Sequence, residues 1–247
     1  MHISLRVVVV SDECAHNNLL SRSGAVQLRL IERLDAAADD VFGECGKLKC
    51  PPDKIVLKDG AVPYCITAPR RVPFPLLPAV EQELKRLTEL GIITPVTKPT
   101  DWCSPMVPVI KKTGKFRICS DLTHSVKRER YILPILDDIL PALKGATVFS
   151  TLDSAGAFNQ LELDEDSSDL TTFITPIGRF KYRRVCFGIS SASEIFQREM
   201  TRVLQGVKGA VALMDDVLVF GVDQTSHDLA LKETLQRIKE SGLQLNR

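Results

Sequence analysis

The sequence has few of the features that mark secreted, membrane or disulfide-stabilised proteins. Its seven cysteines are scattered between Cys14 and Cys186 with no Cys-x-x-Cys pair, which argues against a disulfide framework or a zinc site. The apolar run at 7–10 is too short for a convincing signal peptide, and no later segment approaches the length of a membrane span. We therefore expect a soluble intracellular protein with no membrane partner.

An excess of charge of one sign is also lacking. Lys and Arg number 32 and Asp and Glu number 31 among the 247 residues, so the net charge does not identify a nucleic-acid partner. Basic side chains are instead grouped locally, at 111–117, 127–130 and 179–184. Such groups can follow a nucleic-acid backbone through phosphate contacts that weaken with salt, and an ordinary charged surface is the alternative for each.

Two adjacent carboxylates, Asp215 and Asp216, interrupt an apolar, β-favouring run at 211–220. Successive residues of a strand point to opposite faces, so both side chains reach one ligand only at a sharp turn between two short strands. A third acid, Asp153, stands where the apolar run 146–153 is predicted to end as a strand. Three acids beside buried strands favour a site for a divalent cation such as Mg²⁺, because carboxylates repel one another without it. Solvated turn residues are the alternative.

Apolar periodicity predicts further elements around these strands. The predicted helices cover about 27–38, 78–90, 190–204 and 228–240. The Pro-rich residues 50–75 favour an extended connector, and residues 109–118 are predicted to form a hairpin with Thr113 and Gly114 at its turn. Helices interleaved with hairpins predict an α+β fold.

A series of short motifs runs through the chain in a fixed order. They lie at 99–105, 111–119, 149–160, 170–180, 187–192, 196–197, 214–221 and 227–228. The series resembles the motifs of reverse transcriptases, and most nearly those of gypsy-class long-terminal-repeat retrotransposons. An ordered series is far more specific than any single motif. The resemblance covers roughly residues 46–247.

The resemblance implies a fingers subdomain and a palm whose antiparallel sheet carries the acids, with the thumb absent. It assigns about 46–133 and 161–189 to the fingers and about 134–160 and 190–247 to the palm, after a poorly defined N-terminal segment at 1–45. Relatives continue into primer-gripping strands, a thumb and an RNase H domain. We therefore expect this chain alone to hold primer and template weakly, because fewer phosphate contacts remain.

The activity implied by the resemblance is template-directed DNA synthesis from RNA or DNA with two Mg²⁺ ions, or Mn²⁺ in their place. Asp153 and Asp215 would be the principal bridging ligands, and Asp216 would complete the metal site. The implied partners are primer and template, deoxynucleoside triphosphates, and polyprotein domains such as RNase H and integrase. The implied location is the cytoplasm, with the nucleus as the alternative.

The resemblance also assigns residues to the nucleotide. Arg117 and one of Lys111 and Lys112 would hold the triphosphate, the arginine through planar multidentate contacts and the lysine as a mobile point charge. Phe158 would stand beside the nucleotide sugar, where a ring would crowd a 2′-hydroxyl and favour deoxynucleotides. A solvated charged hairpin and an ordinary core phenylalanine are the alternatives.

Two other functions remain open from the sequence. One is a nonenzymatic remnant that keeps the fold and binds nucleic acid. The other is a different palm-type nucleotidyl transferase, such as a cyclase, which uses similar metal chemistry without a template. Phe158 and the ordered motifs of the fingers favour the reverse transcriptase over the cyclase. Leu213 departs from the family, whose members commonly have Tyr at this position.

Overall fold

The computed structural model describes residues 6–9, 39–110, 116–120, 125–134 and 136–246. It divides into two compact units that alternate along the chain. The first unit comprises the described residues of Met1–Lys49, Tyr131–Ala157 and Phe196–Arg247, and the second comprises those of Cys50–Arg130 and Phe158–Ile195. Each unit has its own sheet, and helices connect the strands, so the expected α+β class is confirmed. The division into fingers and palm stays a prediction.

Strands and helices follow in this order. The strands are β1 Arg6–Val9, β2 Ile93–Pro95, β3 Ser104–Ile110, β4 Phe116–Ser120, β5 Val148–Asp153, β6 Phe173–Thr175, β7 Gly178–Tyr182, β8 Ala210–Leu213 and β9 Asp216–Gly221. The α-helices are α1 Leu77–Glu89, α2 Leu136–Ile139, α3 Glu165–Leu170, α4 Ala192–Val203 and α5 Gln224–Ser241. Short 3₁₀ helices lie at Asp39–Val41, Phe74–Leu76 and Ala157–Gln160. None of the described helices is long and apolar enough to cross a membrane.

The first unit is built on an antiparallel sheet with the strand order β1-β5-β9-β8. Alternate residues of β9, including Val217 and Val219, are fully buried, as expected for a strand with one covered face. Helix α5 packs on β9 through an apolar stripe that includes Leu231 and Ile238. Each such side chain contributes about 1.5–3 kcal/mol by leaving water. The sheet therefore gives β5 and β9, which end and begin at acids, a rigid support.

The second unit is built on a mixed sheet with the strand order β2-β7-β6-β3-β4. Strands β3 and β6 are parallel, and the other neighbours are antiparallel. The core contains Phe173, whose ring lies 6.1 Å from Phe180 and 5.1 Å from Tyr182. The Tyr182 hydroxyl donates a hydrogen bond of 2.8 Å to the carbonyl of Ile118 in β4. This bond satisfies the one polar atom of a buried aromatic side chain.

Three of the four predicted helices are found, one of them with a correction. Helices α1 and α4 lie where the apolar periodicity placed them. Helix α5 starts at Gln224 rather than near Asp228, because Asp223 and Ser226 form a reciprocal capping box at its N-terminus. The expected hairpin is present as the β3–β4 pair, with Ile110 opposite Phe116. The predicted helix at 27–38 and the predicted turn residues Thr113 and Gly114 lie outside the described residues.

Candidate metal-binding site

The β8–β9 hairpin places the adjacent carboxylates at a tight turn, as predicted. Leu213 pairs with Asp216, so Met214 and Asp215 form the two-residue connection. Met214 has a φ of 52°, and it is the one residue other than glycine with a positive φ among those that the structure describes. A positive φ at the first turn residue suits the twist of a hairpin but normally requires glycine. Surrounding contacts must therefore hold Met214 in this conformation.

Gln197 of α4 supplies those contacts. Its side-chain oxygen accepts a hydrogen bond of 2.7 Å from the backbone amide of Met214. Its side-chain nitrogen donates a bond of 3.0 Å to the carbonyl of Ala212 in β8. The side chain is only 1% exposed, so water does not compete for these bonds. One amide thus joins the turn to the strand before it, and the sequence reasoning had given this residue no role.

We expect Gln197→Met to loosen the turn. The substitution keeps the approximate volume but leaves the Met214 amide and the Ala212 carbonyl without their partner, at a cost of about 1–3 kcal/mol. Urea unfolding should show this loss, and the Met214 amide should exchange its hydrogen faster. Gln236→Met is the matched control, because Gln236 is exposed and bonds only within α5, to Glu240. Unchanged exchange at Met214 would contradict the assigned role.

Asp153 and Asp216 face each other across β5 and β9. They are register partners at the end of one strand and the start of the other. The contact between the two segments continues one residue further, since the amide of Ser154 donates a bond of 3.0 Å to the carbonyl of Asp215. The pKa of Asp216 is raised, first by partial burial and then by the negative charge of Asp153. Two carboxylates that repel each other in this way form a place where a cation is favoured.

Asn246 holds the Asp153 side of this pair. Its side-chain nitrogen donates a hydrogen bond of 2.8 Å to Oδ2 of Asp153. Its backbone amide donates a second bond, also of 2.8 Å, to the Asp153 carbonyl. The carboxylate orientation is therefore fixed from outside the sheet. The two residues are 93 positions apart in the sequence. A contact over that separation leaves no local signal, and none of the predicted motifs contains Asn246.

The three predicted metal ligands are only partly brought together. Asp153 and Asp216 are exposed, whereas Asp215 is half-buried and its Oδ1 atom is buried. No group of three or more His, Cys, Asp or Glu side chains in the described part of the chain is arranged to hold a metal ion. The structure therefore shows a two-carboxylate site with Asp215 beside it in the turn. The assignment of all three as metal ligands stays a prediction.

Among the predicted nucleotide-binding residues, Arg117 and Phe158 belong to the second unit. Arg117 lies in β4 opposite Val109, and its side chain falls outside the described part of the structure. Lys111 and Lys112 also lie outside the described residues. Phe158 is buried, and its ring centroid lies 5.0 Å from that of Phe187. Packing against another aromatic ring is what an ordinary core phenylalanine would show, which was the alternative interpretation. The role of Phe158 beside a sugar stays a prediction.

Two members of the basic groups are engaged by acids of the second unit. Lys181 forms ion pairs with Glu165 and Asp169, and its side chain is 13% exposed. Arg128 bonds to Glu194 at 2.6 Å. Lys181 in particular is too well covered to follow a nucleic-acid backbone in this conformation. The exposed residues Lys127 and Arg130 remain better candidates for phosphate contacts.

Two buried residues, Ser150 and His227, and the half-buried Asp228 form a series that resembles a nucleophile and its base. The Ser150 hydroxyl lies 2.8 Å from Nε2 of His227, and Nδ1 of His227 lies 3.3 Å from Asp228. Ser150 has no exposed surface, and His227 is 1% exposed. A substrate cannot reach that hydroxyl, so the series instead fastens the start of α5 to β5. The acids at 153, 215 and 216 remain the candidate site of the first unit.

Comparison with known proteins identifies a family that matches more than half of the chain. The family model described as reverse transcriptase (RNA-dependent DNA polymerase) matches residues 106–247. An uncharacterized protein of Caenorhabditis elegans, K02A2.6, is 38% identical over 213 residues, which cover 84% of this chain. The retrovirus-related Pol polyprotein from transposon 297 of Drosophila melanogaster is 30% identical and covers 67% of this chain. The chain spans 16% of the length of each of these two relatives.

Solved structures share the fold at low sequence identity. The prototype foamy virus protease-reverse transcriptase matches 92% of this chain with a TM-score of 0.76 and 19% identity, and the match covers 31% of that chain. The foamy viral protease-reverse transcriptase in complex with an RNA/DNA hybrid matches 93% of this chain, and 31% of its own, with a TM-score of 0.69 and 18% identity. These likenesses show that the chain shares the fold of those structures.

Proposed function

Because the chain belongs to the reverse transcriptase (RNA-dependent DNA polymerase) family, we propose that it carries the nucleotidyl-transfer site of a retroelement polyprotein. The observation that supports this most strongly is the cross-strand pair of Asp153 and Asp216 beside the turn that carries Asp215. The reaction joins a primer 3′-hydroxyl to the α-phosphate of an incoming deoxynucleotide. The transposon relatives are consistent with the gypsy class, which we retain as part of the proposal.

The residues present fit a pair of hard divalent cations. The like-charge pair of Asp153 and Asp216 offers carboxylate oxygens, which Mg²⁺ and Mn²⁺ prefer. The pKa of Asp216 is raised by partial burial and then by the negative charge of Asp153, and a cation would relieve that repulsion. Asp215 would join them by turning its carboxylate out of its half-buried position. When bound, the cations would neutralise charge that develops on the attacking and leaving oxygens.

The protein's own part is to hold these carboxylates in place before substrate arrives. Asn246 fixes Asp153, Gln197 fixes the turn with Asp215, and the β5–β9 register sets Asp216 opposite Asp153. Positioning of this kind and charge neutralisation supply most of the catalysis in phosphoryl transfer. The described acids and their supports thus account for a transfer site without requiring a protein nucleophile.

We propose that the partners are a primer-template duplex and deoxynucleoside triphosphates. The foamy viral enzyme has been solved with double-stranded DNA and with an RNA/DNA hybrid. Lys127 and Arg130 are exposed in this chain and are suited to backbone phosphates. Arg117 and the lysines at 111 and 112 are proposed to hold the triphosphate. The other domains of the Pol polyproteins would supply RNase H and integrase functions.

Phe158→Val is expected to weaken discrimination against ribonucleotides. A smaller side chain removes a clash with the 2′-hydroxyl, and loss of a clash changes selectivity more than it changes binding. The ratio of deoxynucleotide to ribonucleotide incorporation should fall by about tenfold or more. Phe187→Val is the control, because it disturbs the same aromatic contact. An equal change of the ratio in both variants would show that packing, rather than the gate, is responsible.

The raised pKa of Asp216 gives a pH prediction. The folded chain holds this proton more tightly than the unfolded chain, in which the carboxyl has its ordinary pKa near 3.8. The contribution of Asp216 to stability therefore falls as the pH rises from that value through the folded pKa. A cation competes with the same proton, so its binding should strengthen over the same interval. Carboxyl NMR titration of Asp153→Asn should show the Asp216 pKa lowered, and an unaltered pKa would contradict the assigned repulsion.

Single-nucleotide incorporation tests the proposed function. The chain is used in excess over a labelled primer on an RNA or DNA template, so that weak duplex binding does not hide the chemical step. We expect one templated deoxynucleotide to be added with Mg²⁺, and none without template. A binding remnant would bind the duplex without extending it. A cyclase-type transferase would consume nucleotide without template, and either result would overturn the proposal.

A further inference from the structure

Two cysteines that are far apart in the sequence are direct neighbours in the second unit. Cys65 and Cys103 form an isolated parallel β-bridge. The amide of Cys103 donates a bond of 2.8 Å to the Tyr64 carbonyl, and the amide of Ile66 donates one of 3.0 Å to the Cys103 carbonyl. Cys103 is therefore bonded to both neighbours of Cys65, which fixes the register of the two thiol-bearing residues.

This register suits a disulfide. Paired residues on adjacent strands lie about 4.8 Å apart between Cα atoms, and disulfides form at Cα separations of about 4.4–6.8 Å. Residues paired in this way direct their side chains to the same face. The pKa of the Cys103 thiol is raised by burial and then by the neighbouring Cys65 thiol, as expected for two side chains on one face of the bridge. Both cysteines are free in this structure.

We propose that Cys65 and Cys103 form a redox-modifiable pair, which a low-molecular-weight disulfide such as oxidised glutathione converts into an intramolecular disulfide. The pair is independent of the acids in the first unit and of the proposed polymerase activity. Within the described ranges no further cysteine, histidine or acid joins the two thiols in a metal-binding group. Oxidation is therefore the chemistry that this neighbourhood supports.

The two thiols differ in exposure to solvent, which two successive exchange steps require. Cys65 is exposed, whereas Cys103 is 1% exposed, and burial is the main cause of the raised Cys103 pKa. Cys65 is thus the group that a small disulfide can reach, and Cys103 stays protonated and protected until a partner is beside it. The charge of Arg179 opposes the rise of the Cys103 pKa and favours its thiolate at the second step.

The steps balance as two successive exchanges. The Cys65 thiolate attacks one sulfur of the glutathione disulfide, forms a mixed disulfide and releases one glutathione thiolate. The Cys103 thiol loses its proton, its sulfur attacks the sulfur of Cys65, and the second glutathione leaves. The two cysteines lose two electrons and two protons, which the two released glutathione molecules carry. The new bond closes the loop 65–103, which contains α1 and β2.

Peptide mapping tests the pair on the whole chain. The folded protein is treated with oxidised glutathione, remaining thiols are blocked with N-ethylmaleimide, and the protein is digested with trypsin without reduction. The expected product is peptide 59–70 joined to peptide 87–111, each of which contains a single cysteine. It should exceed every other cysteine pair by about tenfold, because the fold raises the effective concentration of these two thiols. Oxidation in urea should remove this preference.

Variants and a stability readout sharpen the test. Cys65→Ser and Cys103→Ser should abolish the joined peptide, and Cys50→Ser should leave it unchanged, since Cys50 belongs to the same unit but to neither peptide. The oxidised wild type should unfold at a higher urea concentration, with reversal by dithiothreitol. Separate glutathione adducts without a joined peptide, or preferential pairing of Cys65 with another cysteine, would overturn the proposal. If either serine variant fails to fold, blocking Cys65 before oxidation replaces it.

Discussion

Asp153→Asn is expected to lower single-nucleotide incorporation by at least about 10³-fold, because it removes a full negative charge at the point where charge neutralisation supplies the rate. The replacement is nearly isosteric. Its amide oxygen can still accept the bond from Asn246, which is 2.8 Å long in the native protein. It also relieves the repulsion that raises the pKa of Asp216, so the melting temperature should not fall.

Asp137→Asn is the matched control for this loss. Asp137 lies on α2 in the same compact unit and is exposed. Removing its charge changes the net charge by the same amount without touching the candidate site. Incorporation by the control should stay near the native rate. A native rate in Asp153→Asn itself, measured with the same primer and Mg²⁺ concentration, would contradict the role assigned to this carboxylate.

Gly221→Ala is expected to destabilise the first unit by about 3 kcal/mol or more. A Cβ atom at the end of β9 would lie 2.7 Å from Cα of His227 and still closer to its amide nitrogen. Both are backbone atoms at the start of α5, and His227 is also bonded to Ser150 at 2.8 Å. Neither the backbone of β9 nor that of His227 can move away without separating α5 from the sheet. Urea unfolding should show a large fall of the midpoint.

Gly43→Ala separates this clash from a general effect of replacing glycine. A Cβ atom at Gly43 would also meet a close neighbour, but that neighbour is the flexible amide of Gln244. The amide can move aside, so the change in stability should be about 1 kcal/mol or less. Similar losses in the two variants would show that the close approach of α5 to β9 does not limit the fold.

The parts of the site that the sequence could predict are those with local signals. Apolar runs ending at Asp153 and surrounding Asp215 and Asp216 predicted three strands and a turn, and β5, β8 and β9 lie there. Alternation of buried and exposed residues is a property of each strand by itself. The ordered motifs also predicted the reverse transcriptase family, and the match over residues 106–247 confirms it.

The parts that the sequence could not predict depend on contacts between distant residues. Gln197 clamps a turn at Met214, and Asn246 bonds to Asp153, yet neither pair is linked by spacing or composition. The meeting of Cys65 and Cys103 is of the same kind, since the absence of Cys-x-x-Cys spacing says nothing about a bridge between strands. Tertiary packing creates these neighbours.

One interpretation from the sequence was too simple for a physical reason. The basic residues at 179–184 were given two interpretations, contacts to a nucleic-acid backbone and an ordinary charged surface. Lys181 instead reaches Glu165 and Asp169, which α3 presents beside β7. A run of basic residues in the sequence indicates local charge, but it does not show which acidic residues folding brings next to that charge.

Binding of Mn²⁺ to the chain, followed by the electron paramagnetic resonance signal of the free ion, tests the shared carboxylate site most directly. We expect saturable binding that Mg²⁺ displaces, and affinity lowered by at least about tenfold in both Asp153→Asn and Asp216→Asn. Asp137→Asn should bind as the native chain does. Equal Mn²⁺ affinity in the native chain and in the two site variants would contradict the account.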